Sequence, residues 1–177
     1  LGKPGGISPT PTYILNGTVA NGRFGCSVAG AGDVNGDIFG DIIVGASEAN
    51  QAYIYHGNED GMYTSVASTL TSPAFNTSYG LRVSGAGDTD GDGYCEVIVG
   101  AYANNAAYVY KGSPAGTQTS PAKSFAGYGG VSVAGVGDVN GDGYADVMVG
   151  ASSTGTYAGS AYLFQGSALG LPSAPSQ

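Results

Sequence analysis

Apolar residues along this chain come in short runs, and no run keeps a helical period. Ile42-Ile43-Val44, Val97-Ile98-Val99 and Val147-Met148-Val149 are unbroken apolar triplets, each followed by Gly-Ala. Runs of this length bounded by turn residues predict buried strands. A second set, Tyr53-Ile54-Tyr55, Tyr108-Val109-Tyr110 and Tyr162-Leu163-Phe164, is aromatic and branched and again strand-like. Asn-Gly and Asp-Gly pairs separate the runs and supply turns. The pattern predicts an all-β chain.

The same elements return three times in one order. Each unit opens on an aromatic-Gly pair (Phe24-Gly25, Tyr79-Gly80, Tyr128-Gly129) and passes through small residues to Gly-Asp (Gly32-Asp33, Gly87-Asp88, Gly137-Asp138). It then reaches the apolar triplet and the aromatic strand. The spacing is 55 residues from Asp33 to Asp88 and 50 from Asp88 to Asp138, the difference fitting a variable segment around Ser65 to Asn76. About four short antiparallel strands per unit, at this period, describe propeller blades. The expected layout is a Pro-rich tail over 1–12, three repeats over 13–170 (about 13–62, 63–116 and 117–170) and a tail or linker over 171–177. After Gly170 the third unit lacks its last strand, and Tyr13-Ile14-Leu15 is expected to supply one from the other end.

One loop per unit carries the chemistry. The loops run Asp33-Val34-Asn35-Gly36-Asp37-Ile38-Phe39-Gly40-Asp41, Asp88-Thr89-Asp90-Gly91-Asp92-Gly93-Tyr94-Cys95-Glu96 and Asp138-Val139-Asn140-Gly141-Asp142-Gly143-Tyr144-Ala145-Asp146. Carboxylate or amide oxygens fall at positions 1, 3, 5 and 9. Short side chains at 1, 3 and 5 can fold around one point, the backbone carbonyl at 7 (Phe39, Tyr94, Tyr144) can join them, and position 9 completes the set. Six to eight hard oxygens on a bendable loop suit Ca²⁺. Mg²⁺ is less suited to so many protein oxygens, and Zn²⁺ would want His or thiolate. An EF-hand is excluded because Val44, Val99 and Val149 stand where its closing Glu would be. Strand-capping Asp/Asn-Gly turns are the plainer reading of one such loop; three in register argue for metal. Ile38 replaces the position-6 glycine of the other two loops and is expected to strain the first.

Charge agrees. Ten of the 13 acidic residues lie in these loops, and three Ca²⁺ ions would take the formal charge from −8 to about −2. With only 5 Lys and Arg, the chain is a poor partner for nucleic acid. No apolar run approaches a membrane span. Few cations with abundant Gly, Ser, Thr and Tyr lean towards a secreted or surface protein. Cys26 is expected as a small buried strand residue and Cys95 as a non-ligand loop residue; a bridge between them stays open. Asn16 and Asn76 begin glycosylation sequons.

These residues resemble the FG-GAP repeat of integrin α-subunit propellers. Phe24-Gly25 and Tyr79-Gly80 match the "FG" half; Gly45-Ala46-Ser47, Gly100-Ala101-Tyr102 and Gly150-Ala151-Ser152 match the "GAP" half with its Pro replaced. The resemblance covers about Tyr13 to Gly170. It implies Ca²⁺ loops on one face of a propeller, usually of seven repeats, in adhesion receptors, bacterial surface proteins or non-catalytic parts of secreted enzymes. Three repeats cannot close such a ring alone. A segment of a longer chain, a six-bladed ring of two copies and a head-to-tail filament are the open explanations, with self-assembly favoured because the ends fall near whole periods.

The function expected is a calcium-stabilised extracellular structural or recognition module, self-assembling or adhesive, with a protein or glycan ligand possible at variable loops such as Ser65 to Asn76 and Ala103 to Ala106. The alternative is an accessory, carbohydrate-binding segment of a secreted enzyme. No catalysis is expected: His56, the single His, takes a position held elsewhere by Lys111 and Gln165 and reads as a solvent-facing strand end. Paired carboxylates occur only in the loops. The tyrosines recur in strand register, as blade packing would require.

Overall fold

A computed structural model describes residues 9–74, 78–152 and 158–176. The Asn76 sequon lies outside them. The described residues are all-β apart from one 3₁₀ turn, Tyr102–Asn104. The first sheet has the order β1 (Phe24–Gly32), β2 (Asp41–Ala46), β3 (Gln51–Tyr55), β6 (Ser68–Thr71), with a small hairpin of β4 (Gly57–Asn58) and β5 (Gly61–Met62) inserted. The second is β7 (Tyr79–Gly87), β8 (Glu96–Ala101), β9 (Ala106–Tyr110), β10 (Lys123–Ala126). The third is β11 (Ser132–Gly137), β12 (Asp146–Ala151), β13 (Ser160–Phe164). Every pairing is antiparallel. These are three propeller-type blades, two of four strands and one of three among the described residues.

The apolar triplets form the second strand of each sheet, and the two outer faces of blade 2 are where the core sits. Ile43, Ile54 and Leu70 of blade 1 pack with Val97, Val99, Tyr108 and Tyr110 of blade 2. Ile98, Val109 and Phe125 of blade 2 pack with Val133, Val147, Val149 and Phe164 of blade 3. In blades 1 and 2 these strands are buried on both faces, which is why they read as unbroken apolar runs, whereas Met148 of blade 3 is 37% exposed. The aromatic of the opening pair meets the end of the third strand in each blade: Phe24 on Tyr55 (ring centroids 6.4 Å), Tyr79 on Tyr110 (6.5 Å) and Tyr128 on Phe164 (5.4 Å), all edge-on. In blade 2 the phenols also bond, Tyr79 Oη to Tyr110 Oη at 2.8 Å.

The expected strand at Tyr13-Ile14-Leu15 does not form. Instead Tyr13 donates its hydroxyl to the Asp60 carbonyl at 2.7 Å, Ile14 is exposed, and Leu15 packs on the Val44, Tyr53 and Tyr55 face of blade 1. At the other end, Leu171 is buried in the core between blades 2 and 3. Ser176 N–H donates to Leu163 O at 2.8 Å, as Ala67 N–H does to Ile54 O and Ala122 N–H to Val109 O at 2.8 Å each. Ala67 and Ala122 immediately precede β6 and β10, and Ser176 makes the same bond to the third strand of blade 3.

Candidate metal centre

Each carboxylate loop hangs between the first two strands of its blade. The first strand ends in a β-bulge at Gly32, Gly87 or Gly137, and the position-9 residue opens the second strand opposite it. The bulge turns the chain into the loop and brings positions 1 and 9 together.

Position 1 organises the turn from inside. Asp33 accepts from Gly36 and Asp37 N–H on Oδ1 (2.7 and 3.1 Å) and from Ile38 N–H on Oδ2 (2.7 Å). Asp88 does the same with Gly91, Asp92 and Gly93, and Asp138 with Gly141, Asp142 and Gly143. These backbone donors hold the exposed Asp138 carboxyl below its usual range, the Gly143 bond foremost. Position 5 accepts from the position-7 N–H: Asp37 from Phe39, Asp92 from Tyr94, Asp142 from Tyr144. The loops are therefore pre-folded, and each carboxylate keeps lone pairs beyond those used.

Position 9 separates loop 2 from its neighbours. Asp41 accepts Val34 N–H on Oδ2 (2.8 Å) and Gly57 N–H on Oδ1 (2.9 Å). Asp146 accepts Val139 N–H and Gly166 N–H in the same way, both at 2.8 Å. Burial raises the Asp41 pKa against these bonds, which lower it. Glu96 is longer. Its Oε2 takes Thr89 N–H and the Thr89 hydroxyl (2.7 and 2.8 Å), while its Oε1 is buried with no donor. Burial pushes the Glu96 carboxyl up to about 7.

Position 3 differs too. Asn35 and Asn140 donate their amides to Asp37 and Asp142 at 2.9 and 2.8 Å. In loop 2 this residue is Asp90, which cannot donate, and the Lys111 ammonium takes over: it pairs with Asp90 and lies 3.6 Å from Asp92 Oδ2. Asp90 is the extra carboxylate of loop 2, and Lys111 offsets it. Lys111 belongs to the position that sequence treats as variable; its signal was that it occurs in the unit with Asp at position 3. His56, at the same position in unit 1, is not solvent-facing as expected. Its Nε2 is buried, and its ring lies against Gly116 of the next unit, because the blades pack there.

Among the described residues, Asp88, Asp90 and Glu96 bring one oxygen each within 4.8 Å of one another. Three carboxylates so close, one of them ending in a buried oxygen with no donor, fit a hard divalent cation. Asp92 stands outside the trio, and Lys111 reaches both Asp92 and the trio's Asp90, Asp90 more closely. In loops 1 and 3 the acidic side chains do not converge in that way, since position 9 is tied to two N–H groups and position 3 is an amide. Cys26 and Cys95 are both free; the Cys26 thiol donates to Gly80 O at 3.3 Å.

The loops are also joined to one another. Cys95 N–H donates to Asp33 O, and Ala145 N–H to Asp88 O, each at 2.9 Å. The Tyr94 ring lies against Gly36 of the preceding loop and the Tyr144 ring against Gly91.

A repeated blade with an acidic loop between its first two strands, bonded loop to loop, defines the class. A family model described as "FG-GAP-like repeat" matches residues 33–99 and 88–149, and the chain belongs to that family. Mouse integrin alpha-IIb is 38% identical over 111 residues, 59% of this chain. Integrin alpha-5 of Xenopus laevis is 36% identical over 120 residues (61% of the chain), and Drosophila integrin alpha-PS2 is 32% identical over 116 (59%). The match spans 11%, 11% and 8% of those three proteins.

Proposed function

We propose that the chain is a calcium-stabilised extracellular structural or recognition module, non-catalytic, working in adhesion or assembly rather than in turnover. One Ca²⁺ per loop would be held by Asp33, Asn35, Asp37, Phe39 O and Asp41; by Asp88, Asp90, Asp92, Tyr94 O and Glu96; and by Asp138, Asn140, Asp142, Tyr144 O and Asp146. The observation that carries the reading is the convergence of Asp88, Asp90 and Glu96, together with a Glu96 Oε1 that is buried without a donor. Bound Ca²⁺ supplies charge neutralisation and a fixed coordination point. The loops themselves tie strand 1 to strand 2 and each blade to the next, so an ion there braces the inter-blade contacts. The family and the integrin relatives support the extracellular, adhesive side of the reading, and no helix of the described residues is long and apolar enough to cross a membrane. A protein ligand, further repeats of a longer chain and a second copy are the partners this module would take.

Extracellular modules bind Ca²⁺ at about 10⁻⁴–10⁻³ M, and each site at tenfold saturation adds ~1.4 kcal/mol. Three sites together raise the melting temperature by roughly 10 °C. Thermal unfolding followed by circular dichroism, in millimolar Ca²⁺ and then in excess chelator, tests this. Coincident curves would refute the metal reading.

A further inference from the structure

Position 9 of each loop is bonded to position 2, and the pair differs between loops. Loops 1 and 3 have Val34 with Asp41 and Val139 with Asp146; loop 2 has Thr89 with Glu96. In all three the position-2 N–H donates to the carboxylate. In loops 1 and 3 a second bond falls on the other oxygen, from Gly57 or Gly166 N–H. In loop 2 the second bond comes from the Thr89 hydroxyl at 2.8 Å, and it falls on the same oxygen, Oε2. Valine has no such donor. Two bonds thus serve both oxygens of each aspartate but a single oxygen of Glu96, and Oε1 is left buried without a donor.

Thr89 is itself held firmly. It is 3% exposed, and its carbonyl accepts Ser167 N–H of blade 3 at 3.1 Å. Packing does not hold Glu96 in the same way. A cavity of about 90 Å³ borders Glu96 and Asp90, lined as well by Thr89, Val109, Lys111 and Leu171. A side chain with open volume beside it keeps more than one rotamer within reach. The groups that fix the Glu96 carboxylate are therefore its hydrogen-bond donors, and both belong to Thr89.

We infer that Thr89 is a positioning residue for the cation of loop 2. Its hydroxyl, with its N–H, pins Glu96 by one oxygen, so that the carboxylate stands with Asp88 and Asp90 and its other oxygen has no competing donor. Thr89 acts through Glu96 and supplies no ligand. Groups that bond a ligating carboxylate set its orientation, and their loss costs about 10–100-fold in metal affinity. Thr89 and Glu96 work as a unit. With valine at position 2 the long carboxylate would keep one backbone donor and the cavity to swing into, whereas Asp41 and Asp146 need no hydroxyl because two backbone N–H groups hold them. Because Ser167 fixes the Thr89 backbone, blade 3 takes part in shaping a site within blade 2.

The inference rests on the calcium reading above, and its test separates the two. Ca²⁺ is titrated into the 177-residue chain and followed by amide NMR, where Gly91 and Gly93 report loop 2, and Gly36 and Gly141 report loops 1 and 3. Thr89→Val should weaken binding at loop 2 about tenfold and leave the other two loops unchanged. Thr89→Ser, which restores the hydroxyl, should bind within about twofold of the unaltered chain, against that tenfold loss. In a Glu96→Asp background the shorter carboxylate takes the backbone donors that Asp41 and Asp146 take, Gly112 N–H standing in the register of Gly57 and Gly166. Thr89→Val should then cost less than about twofold, since it removes no orienting donor. A loss shared by all three loops, an equal loss in both backgrounds, or no loss at loop 2 would overturn the positioning role and leave the calcium reading standing. If none of these glycine resonances moves in the unaltered chain at millimolar Ca²⁺, the calcium reading falls and takes this inference with it.

Discussion

Loop 2 and loops 1 and 3 share a register and a turn, yet they handle negative charge differently. Loops 1 and 3 carry three carboxylates each and bind the ninth, Asp41 or Asp146, to two backbone N–H groups. Loop 2 carries four, gives one to Lys111 and leaves an oxygen of Glu96 buried without a donor. Its metal-free form is the least satisfied of the three. The difference teaches that the same position can be a structural acceptor in one repeat and a poised ligand in the next, although the motif reads the same.

The largest effect expected is at position 9. In chelator, Asp41→Asn or Asp146→Asn turns an amide donor on a backbone donor and should cost ~2 kcal/mol in a denaturant titration. Glu96→Gln leaves Thr89 an acceptor and relieves a buried charge, so it should cost little in chelator but abolish Ca²⁺ stabilisation at loop 2. Equal losses from all three variants would erase the distinction between the loops.

The pH dependence follows from the same residue. Glu96 in the folded, metal-free chain titrates at about 7 against 4.5 for the unperturbed group. Between those values the folded state holds a proton that the unfolded state has released. The contribution of Glu96 to metal-free stability is therefore greatest below about pH 4.5 and is lost as pH rises through about 7. Denaturation midpoints in chelator should fall across that window, and Glu96→Gln should flatten the fall. Asp41, whose pKa is also raised, adds loss of the same sign starting from its own unperturbed value of 3.8.

Much of this was legible in sequence. The triplets, the aromatic strands and the order of elements mark the blades, because strands buried on both faces need unbroken apolar runs. The strain at Ile38 was legible as well: it takes φ 72°, where loops 2 and 3 have Gly93 and Gly143 at 90° and 93°. What sequence could not reveal was pairing across blades. Lys111 lies 21 residues from Asp90 and acts on it only because the second and third strands fold back beside the loop. The half-buried ring of His56 and the packing of Leu15 without a strand depend in the same way on neighbours distant along the chain.

Two smaller effects sharpen the comparison. Ile38 is 87% exposed, so Ile38→Gly removes left-handed strain with little packing lost. It should stabilise the chain by ~1 kcal/mol, read as a rise in melting temperature in chelator. A fall would mean that the first loop is not strained. Lys111→Gln, which installs the residue of unit 3, removes a half-exposed counter-ion. Loop 2 should then bind Ca²⁺ up to about fivefold more tightly, the scale of one screened ion pair, with the gain shrinking in high salt. Adding Asp90→Asn should cancel that gain.

The number of Ca²⁺ ions bound per chain tests the central claim most directly. Calorimetric titration should reach three ions per chain, falling to two in Glu96→Gln. A chain that binds no Ca²⁺ at millimolar concentration would contradict it.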